Sequence, residues 1–354
     1  MSRPATRVYL TVDLEGAEER VTRAGGLQPA LGYDLRVWGR FRNQPRDLGI
    51  GFILDALERA GGGLKATFFT EALGAAHFGE DRLAEVCQAL RGRGHDVQLH
   101  LHPSQRRCDW KSRGEAPLPD ALHAYPAAEQ RAMIEAGRAV LARCGVPAET
   151  LRAFRAGGFT ADNGTWEALS ALGFSVDSSY DLTYLGEGTR GACRIRWPRE
   201  EAALFHTGEG LWELPVTAFR DGRRFRHLQL MAVSSAEMRH ALHEARALGL
   251  PEVCLVTHSF EFFYIDSIRE RRGRPNWLNE RRFEDLCGFL AANRRDFEVE
   301  TVGALAGRLA AGAGAGAAQT RFPQGRPLLK VRRLLEQTVK RLEASRAEVP
   351  ISRD

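Results

Sequence analysis

Two carboxylates, three imidazoles and a guanidinium stand at the ends of short apolar runs in this chain. Asp13 and Glu15 follow the run at 8–12 (VYLTV), and His100 and His102 close 97–102 (VQLHLH). Arg155 closes 151–155 (LRAFR), and His258 follows 253–257 (VCLVT). In GHDVQLHLHP, Val97, Leu99 and Leu101 alternate with Gln98, His100 and His102. That is the period of a β-strand, so the two imidazoles share one side, and Pro103 ends the run. Residues 13 and 15 share a side for the same reason. Two imidazoles and a carboxylate with one open position form the ligand set of a catalytic zinc or a similar divalent ion. Such an ion lowers the pKa of a bound water towards ~7 and polarises a carbonyl. A second carboxylate can then act as general base and a further histidine as general acid. Together these roles describe hydrolysis of an amide or ester.

The elements that must position these groups alternate along the chain. Strand-like runs at 8–12, 66–70, 97–102, 151–155, 174–177, 212–216, 253–257 and 297–301 are separated by helical spacing at 48–60, 81–90, 126–144, 163–172, 234–248 and 280–293. Ser234 is placed as an N-cap, and His95 closes a helix-to-strand turn. The alternation predicts about seven βα units around a parallel sheet or barrel. In such architectures the active site forms beyond the carboxyl ends of the strands, which is where the titratable groups fall. Long irregular connections at 14–47, 103–125 and 179–210 lie among them.

Composition is that of a globular α/β protein, 44% hydrophobic and 27% charged over 354 residues. The six cysteines are scattered without a CxxC, which suits reduced thiols better than a disulfide framework. No apolar run reaches transmembrane length, and the N-terminal residues read as a strand, not as a signal peptide; a cytoplasmic location is the expectation. The Ala/Gly run at 310–319 reads as a linker. It separates a catalytic domain at 1–309 from a basic tail at 320–354. From Arg321 to Asp354 nine Lys/Arg face four Asp/Glu, so the net charge of +5 resides in the tail. There Leu328, Val331, Leu335, Val339 and Leu342 recur at helical spacing, an amphipathic helix with Arg and Lys on its other faces. It is read as a solvated or packed helix, with contact to an anionic membrane surface as a second reading. Nucleic acid is not an expected partner.

The motifs resemble, in order, those of the polysaccharide deacetylases, carbohydrate esterase family four. The resemblance runs from about residue 8 to 302 through TVDLEG, KATFF, GHDVQLHLHP, FRAGGF, LWELP and LVTHSF. It implies a distorted (β/α)7 barrel, here with a C-terminal amphipathic helix. It also implies metal-dependent removal of an acetyl group from an N-acetylated sugar, by attack of metal-activated water on the amide carbonyl. By this resemblance Asp13 is the catalytic base, Arg155 the arginine paired with it, and His258 the general acid. Glu15, His100 and His102 hold a divalent metal, zinc before cobalt or nickel. Trp212 and Leu214 wall the acetyl pocket. Two departures mark this chain: Leu14 separates acids that the family keeps adjacent, and Ser104 stands where the family places its second histidine, so His102 substitutes. The swapped assignment, Asp13 as ligand and Glu15 as base, stays open. Other readings are a different C–N hydrolase on the same fold, such as one opening a cyclic amide, and a carbohydrate-binding relative without turnover.

Overall fold

The computed structural model describes residues 4–22, 25–185, 192–208, 210–312 and 319–349. The first strand, Thr6–Leu14, lies second from one end of a nine-stranded sheet. On one side it pairs in parallel with Glu252–His258. On the other, its first half pairs with Phe297–Glu300 and its second half with Thr67–Glu71. From there the sheet runs in parallel through Asp96–Leu101, Ala153–Ala156, Val176–Asp177 and Trp212–Glu213. Phe205–His206 is added antiparallel at the edge. After Trp212–Glu213 the chain crosses back towards the start of the sheet. The Val216 amide donates to the Tyr180 carbonyl, and the next amide, Thr217, donates to the carbonyl of Cys254. The sheet thus curls into a distorted α/β barrel.

Alternation along the first strand divides the interior. Val8, Leu10, Val12 and Leu14 join the large core beneath the helices, whereas Tyr9 joins a second apolar cluster with Phe69, Ala153, Val176, Leu214 and Cys254. Helix Val302–Ala310, which the sequence reading did not anticipate, contributes Val302, Leu305 and Ala306 to that second cluster. Its first amides bond Thr67 Oγ1 and Asp96 Oδ2, at the amino ends of two strands, so it closes the end of the barrel away from the histidines.

Helices Ile50–Arg59, Glu80–Gly92, Ala127–Arg143, Asn163–Ala171, Ser235–Leu248 and Trp277–Ala292 lie close to the expected windows. Ser234 caps its helix in a reciprocal box with Glu237. His95 accepts the Ala66 amide across the helix-to-strand turn, and burial holds its ring down to a pKa of about 4. All six cysteines are buried and unbridged. No helix among the described residues is long and apolar enough to cross a membrane.

The tail departs from its expected extent. Most of the 310–319 linker lies outside the described residues, and 320–326 is not helical. Instead the Ala202 amide donates to the Gln319 carbonyl, the Arg220 amide to the Pro323 carbonyl, and the Phe322 ring packs on Phe225. The helix spans Pro327–Ala344. Its polar side faces the barrel. Arg333 bonds Glu237 and Asp221, and Glu336 accepts from Arg282.

Candidate metal centre and its acid–base neighbours

Glu15, His100 and His102 each offer a ligand atom, and these atoms lie within 4.8 Å of one another. His100 lies in strand Asp96–Leu101 and His102 just past it, where Pro103 turns the chain. Glu15 follows the first strand one residue beyond Leu14. The Nδ1 of His100 lies 2.8 Å from the Arg155 carbonyl, and the Nδ1 of His102 lies 2.8 Å from Asp120 Oδ2. A carbonyl and a carboxylate can only accept, so in each neutral ring the proton sits on Nδ1 and the lone pair on Nε2. Both Nε2 atoms are buried and make no hydrogen bond, although they stand 3.7 and 2.5 Å from Glu15 Oε2. Two imidazole nitrogens turned onto one carboxylate fit a divalent cation, and the oxygens behind each ring fix its orientation.

Electrostatics agree with that fit. Burial disfavours the His102 imidazolium, but Asp120 and Glu15 raise its pKa well above the usual histidine value. Burial likewise opposes charge on Glu15, yet His102 and His100 hold it well below the usual carboxylate range. The pair of carboxylates therefore favours positive charge at this point, and a metal ion and the His102 proton compete for it. The Arg36 guanidinium, 3.5 Å from Glu15 and 3.5 Å above the Phe260 ring, closes the other side.

Asp13 sits apart from this trio. Its Oδ1 accepts from Arg155 at 2.7 Å, and its Oδ2 is 3.9 Å from His258 Nε2. Arg155 is fully buried and also donates to Thr11 Oγ1, the Ser178 carbonyl and Ser178 Oγ. His258 closes strand Glu252–His258, and its Nδ1 lies 2.7 Å from Glu261 Oε1. Glu261 is held in turn by Gln229 and Thr257.

A candidate polysaccharide deacetylase from Mycobacterium smegmatis overlays this chain with a TM-score of 0.51 at 16% identity, over 90% of this chain and 95% of that one. A candidate glycoside hydrolase/deacetylase from Parabacteroides distasonis does so with a TM-score of 0.54 at 12% identity, over 89% and 73%. The fold is that of the polysaccharide deacetylases. No protein-family model and no curated protein matches the chain.

On this polysaccharide deacetylase fold, Glu15 is the acid brought to the histidines and Asp13 the acid brought to the arginine. The inserted Leu14 explains the division: it points into the large core, so Asp13 and Glu15 leave the strand on the same side at successive depths. Trp212 lies on the short strand Trp212–Glu213 beside Val176–Asp177, and Leu214 just past it. They pack with the apolar cluster that helix Val302–Ala310 closes, and Trp212 also meets the His206 ring. That cluster also holds Phe69, whose ring lies 4.3 Å from the Arg155 guanidinium, and Cys254, whose Sγ meets Arg155, so it backs the Asp13–Arg155 pair. Aromatic rings nearer the site are Phe260, 4.8 Å from His258, and Phe159, stacked on Tyr184 and 5.9 Å from the Arg155 guanidinium.

Sequence reasoning missed Asp120, Glu261 and Arg36. Each lies outside the strand ends, in a connection or a single helical turn, and nothing in the local spacing of Asp120 or Arg36 points to a partner. Only the Glu three residues beyond His258 carried a local signal.

Gly157 is explained by space alone. A Cβ there would stand 2.6 Å from three atoms of the His102 ring, so any side chain must push the imidazole off its position. Gly157→Ala is expected to weaken metal binding by about 10- to 100-fold, the scale on which disturbing a ligand's support acts. Titration of the apoprotein with zinc against a competing chelator reads this directly.

His258 carries a pH prediction. Burial opposes charging its ring, but the hydrogen bond and charge of Glu261, with Asp13 and Glu15 behind them, raise its pKa to about 9. A raised folded-state value means that the protonated ring contributes stability below its unfolded pKa of ~6.5, lost as pH climbs to about 9. If the protonated ring is also the working acid, activity falls on the same alkaline limb. Glu261→Gln is expected to move that limb of the kcat profile down towards ~6.5.

Proposed function

We propose that this chain is a divalent-metal-dependent hydrolase that removes the acetyl group from an N-acetylated sugar. The observation that carries the reading is the convergence of Glu15 with two imidazole Nε2 atoms beside the separate Asp13–Arg155 pair. Glu15, His100 and His102 would hold the ion, with zinc the leading choice for this nitrogen and carboxylate set. When bound, the ion supplies a Lewis acid for the acyl oxygen and acidifies water.

The remaining steps belong to side chains. Asp13 accepts the proton of the attacking water, and the Arg155 guanidinium holds its carboxylate in place. Because both rise from strands of one sheet, the base is fixed without reorganisation. His258, with Nδ1–H directed at Glu261, presents Nε2–H towards Asp13 and the reacting centre. It gives that proton to the departing amine nitrogen, which cannot leave as an anion. Asp120 and the Arg155 carbonyl keep the two histidine rings in place.

The test is elemental analysis joined to acetate release. About one divalent ion per chain and acetate release from N-acetylglucosamine oligomers, both abolished by chelation and restored by zinc, are the expected results. Turnover that persists after the ion is removed would overturn the reading and favour a metal-free C–N hydrolase. A loaded protein that binds the oligomers without releasing acetate would favour the binding-module reading.

A further inference from the structure

The C-terminal helix Pro327–Ala344 is mounted with its apolar face outward. Nine large apolar side chains are exposed among the described residues, and six of them lie on this one helix: Leu328, Val331, Leu334, Leu335, Val339 and Leu342, with exposures from 42% to 84%. At 100° per residue these six fall within an arc of about 140° along a rod about 27 Å long. The opposite side is anchored by polar groups. Arg333 is buried in ion pairs with Glu237 and Asp221, and Glu336 takes Arg282. Glu343 accepts from Trp277, and Lys340 reaches the Met231 carbonyl. A helix that merely packed against the barrel would be turned the other way, because apolar area left in water forfeits about 25 cal/mol per Å².

Charge says what the stripe is shaped to meet. On the same projection Arg332 borders one edge of the arc and Arg341 the other, each about 20° outside it. Arg326 and Arg346 stand exposed at the two ends. The acids of the helix, Glu336 and Glu343, lie beyond Arg332 on that side and are engaged by Arg282, Arg332 and Trp277, so the unpaired cations stand at Arg341 and at the two ends. A second copy of the chain laid on the stripe would line the joint with arginines from both partners, whichever way it ran. An apolar centre with cationic margins instead matches the boundary of an anionic bilayer, with leucines among the acyl chains and arginines at the phosphates.

We infer that the outward face of helix Pro327–Ala344 docks the protein on an anionic lipid surface. The inference stands on the helix and does not depend on the reaction assigned to the metal centre.

Co-sedimentation of the full chain with vesicles tests this. Binding is expected to vesicles of equal phosphatidylcholine and phosphatidylglycerol, not to phosphatidylcholine alone, and to fall with added salt. The Leu335→Glu/Val339→Glu variant is expected to lose binding by roughly tenfold or more, and Arg341→Glu to weaken it. These side chains are exposed, so both variants should keep the thermal midpoint of the parent. A parent chain that stays in the supernatant, as monomer or as dimer, would overturn the inference. Equal binding by the Leu335→Glu/Val339→Glu variant would do the same.

Discussion

If the proposed reaction is the chain's own, Asp13→Asn is expected to lower acetate release by about 10²- to 10⁴-fold, the range that a positioned general base contributes, while the purified variant keeps the proposed divalent ion. Glu15→Gln should behave in the opposite order: the ion is lost first, and activity is lost with it. The structure motivates this crossing, because Glu15 stands among both histidine Nε2 atoms and Asp13 stands against Arg155 and His258. Parallel measurement of metal content and kcat/KM in the two variants separates the roles. If Asp13→Asn released the ion and Glu15→Gln retained it, the assignment would have to be exchanged. The side-chain amide that Asp13→Asn introduces can still accept from Arg155 through its oxygen, so this substitution should disturb the fold little.

Arg155→Met is expected to be the most destabilising single change near the site, by about 3–5 kcal/mol, the usual cost of removing one partner from a buried ion pair. Arg155 has no exposed surface, and its guanidinium satisfies Asp13, Thr11 and two oxygens of Ser178 while lying 4.3 Å over the Phe69 ring. Methionine fills much of the volume but leaves the Asp13 carboxylate buried without its cation. Urea unfolding followed by circular dichroism measures the loss. The double variant Asp13→Asn/Arg155→Met should lose less than the two single changes added together, since the orphaned charge is then absent. Additive losses would mean that the pair is not coupled. Arg155→Lys should also fall short of the parent, because one ammonium cannot span four acceptors arranged for a planar fork.

The alternation of apolar and polar residues in VQLHLH was enough to place His100 and His102 at the same strand end, and the βα rhythm was enough for a parallel sheet or barrel, between which the motif resemblance chose. Both are local signals, with periods of 2 and 3.6 that survive in a single sequence. The helix Val302–Ala310 was not legible, because its small apolar residues run straight into an Ala/Gly tract without a change of composition. The tail helix was legible as amphipathic, but which side would face the barrel was not. That depends on Glu237, Asp221 and Arg282, which lie far away in the chain and reach it only through tertiary contacts.

At the site, sequence alone determined the kinds of groups and the strand ends from which they start: Asp13, Glu15, His100, His102, Arg155 and His258. Tertiary structure decided how they are divided. It set Glu15 with the imidazoles and Asp13 with the guanidinium, and recruited Asp120 and Glu261 from connections as partners for His102 and His258. The physical reason is range. Strand and helix periods are written over a few neighbouring residues, whereas a hydrogen bond or an ion pair needs two atoms within about 3–4 Å, and only the curled sheet brings together residues separated by a hundred or more positions.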